Sequence, residues 1–250
     1  MPLVSIITPL YNSESSICGT YASIEQQTFS DWEWIVIDDC SSDGSAATAE
    51  QLVKSDNRIK LLRNDVNGGA AKARNLGIQA AKGRYIAFLD ADDSWAPDKL
   101  ERQLKFMSER SSPYSFTSYH VVLEGNNHSE KTFVPRYSKA TYSKLLHRND
   151  IGCSTVICDR EIIGDFQMNE AAVKREDYAC WLELARKGFI GELMDAPLTF
   201  YRLSKNSVSH NKAEMLKLQW NVFRNIEKLG FLHSSWLLVC HVWNKLFKGY

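Results

Sequence analysis

Three carboxylates follow an apolar run in the stretch "FLDADDSW", which covers residues 88–95. Asp90, Asp92 and Asp93 occur within four positions of one another, so they repel each other unless a cation lies among them. Hard oxygen ligands in a D-x-D spacing suit Mg²⁺ or Mn²⁺, and these ions usually keep water ligands and bridge to phosphate oxygens. The motif therefore predicts a divalent metal site that takes a phosphorylated substrate.

A second acidic pair supports this interpretation for the set as a whole. Asp38 and Asp39 follow the apolar run "IVI", and parallel strands in an open sheet bring their carboxyl ends to one edge, where ligands bind. A structural alternative stays open for Asp93 alone. Asp93 or Ser94 could cap the helix that is predicted to follow in "APDKLERQL".

Two periodicities alternate over the first part of the chain. The β-rich runs "VSIITPLY", "WEWIVIDD", "RIKLLRN" and "RYIAFLD" are separated by helical segments such as "GSAATAEQLVKS" and "GAAKARNLGIQAAKG". This alternation predicts an α/β fold with a Rossmann-like, doubly wound, mostly parallel sheet that helices cover on both faces. Further helices are predicted in "PDKLERQLKFMSER", "ATYSKLLH" and "REDYACWLELARKG".

The composition argues against several classes of function. Lys and Arg number 30 and Asp and Glu number 30, so no global basic field recruits nucleic acid. The six cysteines lack a CxxC pair or zinc-ligand spacing, which favours reduced thiols and a cytoplasmic protein. We expect no signal peptide and no membrane span, because no basic n-region and no run of about 20 apolar residues is present.

A glycine pair opens one of the predicted helices. In "NDVNGGAAKARNLG", Gly68 and Gly69 precede Lys72 and Arg74. Glycines let a backbone approach a phosphate, and an arginine can add a bidentate contact. Because glycine-led helix starts are common, a purely structural role is the preferred interpretation of this stretch when it is taken alone.

Several of these stretches, in this order, resemble the signatures of family 2 glycosyltransferases, which have the GT-A fold. They are "VSIITPLYN", "WIVIDDCSSDGS", "NGGAAKARNLGIQAAKGRYIAFLDADD", "REDYACWLELARKG" and "YRLSKNSVS". The resemblance is close over residues 3–110 and looser over 174–210. It implies transfer of a sugar, with inversion at the anomeric carbon, from a nucleoside diphosphate donor that is usually UDP-linked.

The resemblance also implies roles for single residues of the nucleotide half. Tyr11 would lie beside the uracil, Arg74 would approach the nucleotide or diphosphate, and Asp90 would reach the ribose or sugar. Asp92 would bind Mn²⁺ or Mg²⁺, and the metal would neutralise the charge that develops on the departing diphosphate. The predicted nucleotide-sugar site consists of Pro9, Tyr11, Asn12, Asp39, Arg74, Asp90, Ala91 and Arg202.

A catalytic base is expected in the segment "RED". Asp177 matches the aspartate of the family's E-D motif, and it lies at the start of a helix, where the dipole favours its charge. Without the resemblance, Glu176 and Asp177 would be an ordinary acidic first turn. Relatives often carry histidine where this chain has Ser204, and His210 is a nearby substitute for that histidine.

The last forty residues have a composition of their own. We predict a GT-A domain over 1–210, divided into a nucleotide-binding half (1–111) and an acceptor-side half (112–210), and a helical extension over 211–250. Aromatic and basic residues alternate in this extension, which suits contact with a membrane surface or packing on the core. They are Trp220, Phe223, Lys228, Phe231, Trp236, Trp243, Lys245, Phe247 and Lys248.

The sequence therefore predicts an inverting, metal-dependent glycosyltransferase. It would act in the cytoplasm or peripherally at the inner face of the cytoplasmic membrane. Its acceptor would be a saccharide carried by a polyprenyl diphosphate, during synthesis of a surface polysaccharide. The main alternative is a haloacid-dehalogenase-like phosphatase with Asp90 as nucleophile and Asp92 as acid. A nucleotidyltransferase and a catalytically inactive sugar-nucleotide-binding protein are the other two.

Overall fold

The computed structural model describes residues 1–123, 129–203 and 212–247. In these residues the chain folds into one large β-sheet with helices on both faces. The strands in those residues are β1 (Val4–Leu10), β2 (Trp32–Asp38), β3 (Ile59–Arg63), β4 (Tyr85–Phe88), β5 (Ser94–Trp95), β6 (Tyr114–Leu123), β7 (Ser129–Phe133), β8 (Lys139–Ala140), β9 (Ile157–Asp159) and β10 (Gly191–Leu203). The helices are α1 (Ile17–Glu25), α2 (Ser45–Ser55), α3 (Gly69–Ala80), α4 (Lys99–Arg110), α5 (Tyr142–His147), α6 (Arg160–Ile163), α7 (Glu176–Arg186), α8 (Lys212–Asn221) and α9 (Phe231–Phe247).

The first four strands make the parallel half of the sheet. They lie in the order β3-β2-β1-β4, and every neighbouring pair is parallel. The central strands β1 and β2 alternate their side chains between two apolar cores, so that Ile7 and Ile35 pack toward α3 and α7 while Ile6 and Trp34 pack toward α1 and α4. This half confirms the doubly wound α/β arrangement that the alternating periodicities predict.

The second half of the sheet is mixed. Strand β9 is antiparallel to both of its neighbours, β4 and β6, whereas β6 and β10 are parallel to each other. The short strands β5 and β8 are antiparallel to β10, and β7 is antiparallel to β6. Antiparallel neighbours need no crossover helix, which agrees with the irregular pattern of residues 112–172.

The structural alternative for this stretch, a cap of α4 by Asp93 or Ser94, is not found. Ser94 and Trp95 pair with Phe200 and Thr199 of β10 before the helix begins at Lys99. Because this pairing uses the chain after the D-x-D motif as a strand, the N-cap position falls to Asp98, whose side chain makes no capping hydrogen bond.

Helix α7 packs into the core as its pattern predicts. Tyr178, Trp181 and Leu182 are fully buried. Gly188, with φ of 92°, ends the helix in the left-handed region that glycine adopts without strain. The first turn of α7, which carries the predicted base, is therefore held by a rigid apolar anchor.

One part of the C-terminal segment packs on the core and another part is exposed. Phe223 is fully buried, which shows packing on the core, whereas Trp236 and Trp243 are 61% and 56% exposed. Among the helices of the described ranges, none combines the length and apolarity needed to cross a bilayer. The division of the chain at residues 210 and 211 stays a prediction.

The six cysteines are all free thiols, as their spacing predicts. Cys153, Cys158 and Cys180 are buried, and burial raises the pKa of each thiol well above its ordinary value. These thiols are therefore protonated, and a neutral thiol behaves as a small apolar core residue.

A buried lysine makes stability depend on pH. The ammonium of Lys99 is fully buried, donates to Gln103 Oε1 at 2.7 Å and lies 4.3 Å from the centre of the Trp95 ring. Burial lowers the pKa of Lys99 to about 7. Between about pH 7 and 10 the unfolded chain therefore binds more protons than the folded chain, so this group makes the fold more stable as the pH rises.

We expect Lys99→Met to remove this pH dependence. Urea unfolding at pH 7 and at pH 9.5 measures the difference, and wild type should gain on the order of 2–3 kcal/mol relative to the variant over this interval. Lys105→Met is the matched control, because Lys105 lies on the same helix and is 76% exposed. An equal slope for wild type and Lys99→Met would show that the buried ammonium stays charged throughout.

Candidate active site

The loops after β1, β2 and β4 meet at one edge of the sheet. The register pairs Leu10 with Asp38 and Ile7 with Phe88, so the carboxyl ends of the three strands are neighbours. Tyr11 and Asn12, Asp39, and the D-x-D motif therefore come to the same edge. This is the edge at which the sequence predicts the site.

The first two loops are tied together by hydrogen bonds. The Oδ1 atom of Asn12 accepts from the backbone N–H of Ser42 at 2.8 Å, and the hydroxyl of Ser41 accepts from the N–H of Asn12 at 3.1 Å. Asn12 has φ of 47°, a conformation that Asn tolerates better than most residues. This fixed junction leaves Tyr11 52% exposed, as a ring that stacks on a base requires. The roles of Pro9, Tyr11 and Asn12 stay predictions.

Asp39 holds the start of helix α3. One of its carboxylate oxygens accepts from the N–H of Gly68 at 2.9 Å and from Asn64 Nδ2 at 2.6 Å, and the other accepts from the N–H of Gly69 at 2.7 Å. Because Asp39 occupies both glycine amides, the interpretation of this glycine pair as a phosphate cradle is wrong. The structural interpretation holds instead, and a contact of Asp39 with the ribose stays a prediction.

Arg74 joins the D-x-D motif to the predicted base. Its Nη2 atom donates to Asp90 Oδ1 at 2.6 Å, and its Nη1 atom donates to Glu176 Oε1 at 2.6 Å. The residue is only 5% exposed. Both ends of the guanidinium are therefore used inside the protein, which gives Arg74 a positioning role. Its contact with the nucleotide or diphosphate stays a prediction.

Asp93 lies in a buried polar network behind the motif. Its Oδ2 accepts from the hydroxyl of Ser154 at 2.5 Å and its Oδ1 accepts from the N–H of Arg202 at 2.9 Å, while Ser154 Oγ also accepts from the N–H of Asp90 at 3.1 Å. Burial and the nearby carboxylates of Asp92 and Asp90 raise the pKa of Asp93 well above its usual range. Ser154 therefore positions two residues of the motif, although nothing in "GCSTV" signals this role.

Asp92 is the exposed member of the motif. The backbone around it is fixed, because the carbonyl of Ala91 accepts from the hydroxyl of Thr20 at 2.9 Å and the carbonyl of Asp92 accepts from Arg202 Nε at 3.2 Å. Within the described ranges, no three potential ligands form a complete metal cage. An exposed carboxylate in an acidic cluster suits an ion whose other ligands are water and phosphate oxygens.

Asp177 has the electrostatic surroundings of a base. It is partly exposed, next to the buried carboxylate of Glu176. Desolvation and the charge of Glu176 raise its pKa to about 6, and Arg74 opposes this shift. The helix dipole favours the charged form of Asp177, but burial and Glu176 act in the opposite direction. A base with a pKa near neutrality can both lose and accept a proton at physiological pH.

This raised pKa predicts an acid limb in the activity. Asp177 must be deprotonated to take a proton, so kcat at saturating donor and metal should fall about tenfold for each pH unit below about 6. Release of UDP, followed from pH 4.5 to pH 8, measures the limb. A rate that stays constant down to pH 5 would rule out a group of this pKa as the base.

Ser204 and His210, the two positions considered for the histidine of the family, lie outside the described residues. Arg202 lies inside them, and its bonds to Asp92 and Asp93 bring it to the D-x-D motif. Its predicted contact with the diphosphate stays a prediction.

Carboxylates lie at the edge of the sheet, and Arg74 joins them to the acidic start of α7. This arrangement defines a site of the glycosyltransferase class. The family model described as glycosyl transferase family 2 matches residues 5–164. The chain therefore belongs to family 2 of the glycosyltransferases and is an enzyme of that class, as its resemblance implies.

Two relatives are similar over most of their length. TuaG of Bacillus subtilis, a glycosyltransferase assigned to teichuronic acid biosynthesis, is 43% identical over 99% of this chain and 97% of its own. WfgD of Escherichia coli, a UDP-Glc:α-D-GlcNAc-diphosphoundecaprenol β-1,3-glucosyltransferase, is 41% identical over 88% of this chain and 85% of its own.

A solved structure agrees with the fold. TarS of S. aureus, crystallised as residues 1–349 in complex with UDP, superimposes with a TM-score of 0.67 over 98% of this chain and 71% of its own, at 22% identity. This likeness confirms the GT-A fold.

Proposed function

We propose that this protein is an inverting, metal-dependent glycosyltransferase that moves a sugar from UDP to a saccharide on a polyprenyl diphosphate. The observation that carries the proposal is the Arg74 bridge, which fixes the D-x-D motif and the E-D motif against each other. The lipid-linked acceptor is supported by the similarity to WfgD. A role in surface polysaccharide synthesis, such as O-antigen or capsule, is supported by WfgD and TuaG.

The donor would lie along the carboxyl edge of β1, β2 and β4. Tyr11 would stack on the uracil, with Pro9, Asn12 and Asp39 around the base and ribose. Asp90 and Ala91 would lie beside the ribose and sugar, and Arg202 beside the diphosphate. Pro9 and Arg202 lie in β1 and β10, and hydrogen bonds join Asn12 to Ser42 and Arg202 to Asp93. Little reorganisation is therefore needed when the donor binds.

Asp92 would hold the metal, Mn²⁺ or Mg²⁺. When bound, the ion neutralises charge on the diphosphate as it leaves. The exposure of Asp92 favours this assignment, because an ion that keeps water and phosphate ligands needs a carboxylate open to them, whereas Asp93 is buried.

Asp177 would act as the base in a single displacement. Its carboxylate takes the proton of the acceptor hydroxyl while that oxygen attacks the anomeric carbon from the side opposite the diphosphate. The bond between the anomeric carbon and the diphosphate oxygen breaks, and its electron pair leaves with UDP. The raised pKa of Asp177 suits this transfer near neutral pH.

The alternatives are less well supported. A phosphatase would use Asp90 as nucleophile, but an ion pair with a buried arginine stabilises the carboxylate and weakens it for attack. Family membership also argues against the phosphatase and the nucleotidyltransferase. An inactive sugar-nucleotide-binding protein would not need the carboxylate of Asp177.

Transfer to a defined acceptor tests the proposal. The intact chain is incubated with UDP-glucose, UDP-galactose or their N-acetylated forms, with α-GlcNAc-diphosphoundecaprenol and with Mn²⁺ or Mg²⁺. We expect one donor to yield a β-linked disaccharide on the lipid, and the anomeric configuration is determined by NMR. Hydrolysis of simple phosphate esters without any sugar transfer would contradict the proposal.

A further inference from the structure

The outer face of α9 carries an exposed apolar stripe, which we name the α9 stripe. It consists of Leu232, Trp236, Val239 and Trp243, whose spacing of four, three and four residues places them on one face of a helix. Their exposed fractions are 83%, 61%, 58% and 56%. Phe231, next to the stripe, is 63% exposed. Contiguous exposure of this kind marks an interaction surface.

The opposite face of α9 is already used inside the protein. Ser234 and Leu237 are fully buried, and the His241 ring contacts Tyr178 and Phe223 with ring centroids 6.4 and 5.5 Å apart. His241 Nε2 also lies 2.9 Å from the carbonyl oxygen of Leu146. The stripe is therefore the outward face of a helix whose inward face is anchored in the core.

The segment that carries the stripe has a net positive charge, which suits an anionic surface. Residues 211–250 contain six Lys or Arg and two Glu, whereas the whole chain has a net charge of zero. One of the two, Glu227, is buried and pairs with Arg186, so Glu214 is the acidic side chain that remains near the surface. Helix α9 contains no Asp or Glu. An exposed apolar face with tryptophans, in a segment rich in Lys and Arg, is typical of helices that lie in the interface of an anionic bilayer.

The position of α9 connects this surface to the chemistry. Tyr178, which contacts His241, directly follows Asp177 in the first turn of α7. The Tyr178 and His241 ring centroids are 6.4 Å apart, so the inner face of α9 is anchored next to the first turn of α7, which carries the proposed base. An acceptor whose lipid is embedded in a bilayer must present its sugar to Asp177 from close to the membrane surface.

We propose that the α9 stripe docks the enzyme on the surface of an anionic bilayer and so holds Asp177 near the head groups of its lipid-linked acceptor. This inference rests on the proposed function for the identity of the acceptor. The contact of the α9 stripe with the bilayer does not depend on the proposed function, because it is inferred from the exposure and spacing of the stripe and the charge of its segment. The helix lies flat in the interface and does not cross the bilayer.

Flotation with lipid vesicles tests the docking. The intact chain is mixed with vesicles of 30% phosphatidylglycerol in phosphatidylcholine, and with pure phosphatidylcholine, at low and high salt. We expect binding to the anionic vesicles that weakens with salt. We expect Trp236→Gln combined with Val239→Asp to reduce the bound fraction at least tenfold. Val66→Asp is the matched control, since Val66 is 62% exposed in the loop between β3 and α3, and it should bind like wild type.

A second readout separates this proposal from the proposed function. In solution without lipid, the α9 double variant should release UDP from the donor at the wild-type rate, and its thermal unfolding should be unchanged. If wild type binds vesicles but transfers no sugar, the docking surface stands and the proposed function fails. If wild type ignores anionic vesicles, if the double variant binds as well as wild type, or if the stripe instead forms a dimer that vesicles do not dissociate, the docking proposal is overturned.

Discussion

Asp177→Asn is expected to lower the rate of sugar transfer by about 10² to 10⁴ while the affinity for UDP stays unchanged. The amide has nearly the same size as the carboxylate but cannot take the proton of the acceptor hydroxyl. Transfer is measured at saturating donor and metal, and UDP affinity by calorimetry. The acid limb near pH 6 should disappear from the residual activity, since the group that produces it is gone.

The same substitution makes an opposite prediction for stability. The pKa of Asp177 is raised in the folded protein, so ionisation of this carboxyl destabilises the fold above about pH 4. The sign follows from linkage: the folded state binds more protons than the unfolded state between about pH 4 and 6. Asp177→Asn should therefore be more stable than wild type at pH 8, by about 3 kcal/mol, and similar to it at pH 3.5.

The matched control is another acidic residue of the same helix. Glu183 pairs with Lys187 near the end of α7, far from the first turn, and Glu183→Gln should keep wild-type transfer. If Asp177→Asn transfers sugar as fast as Glu183→Gln, Asp177 is not the base.

Arg74→Met is expected to reduce activity at least a hundredfold and to destabilise the fold by about 3–5 kcal/mol. The substitution leaves Glu176 buried without its partner and releases Asp90, so that two carboxylates repel each other and Asp177. Arg74→Lys should rescue only part of the loss, because a single ammonium cannot bridge two carboxylates as a planar guanidinium does. Urea unfolding gives the stability, and UDP release gives the activity.

A double variant separates positioning from ligand contact. Glu176→Gln in the Arg74→Met background removes the buried unpaired charge, so it should recover much of the stability but not the activity. If Arg74→Met instead keeps full stability and loses only affinity for UDP, Arg74 contacts the nucleotide, as the resemblance implies, and its positioning role is wrong.

The elements that the sequence predicts correctly are those with a strong local period. The apolar runs that become β1, β2 and β4 are buried on both faces, and α7 has its inner face where the spacing of Tyr178, Trp181 and Leu182 puts it. Each of these patterns depends on residues within one element, so no tertiary knowledge is needed to interpret them. The edge at which the D-x-D motif lies follows from the same patterns, because it is set by the strands.

The contacts inside the site depend on residues that are far apart in the chain. The Arg74 and Glu176 pair spans 102 positions, and Ser154 reaches Asp93 from a segment with no regular pattern. The glycine pair is misleading for the same reason, since its amides bind the carboxylate of Asp39 from a different loop. The failed cap at Asp93 also has a tertiary cause, the pairing of β5 with β10.

The central claim is that Asp92 holds a metal beside a UDP-sugar and that Asp177 is the base for its transfer. The most direct measurement is UDP release from a panel of UDP-sugars, with Mn²⁺, with Mg²⁺ and with EDTA, for wild type, Asp92→Ala and Asp177→Asn. We predict that wild type releases UDP from one donor only when metal is present and that both variants lose this release. Release that is unaffected by EDTA and by Asp92→Ala, or no release from any donor, would contradict the account.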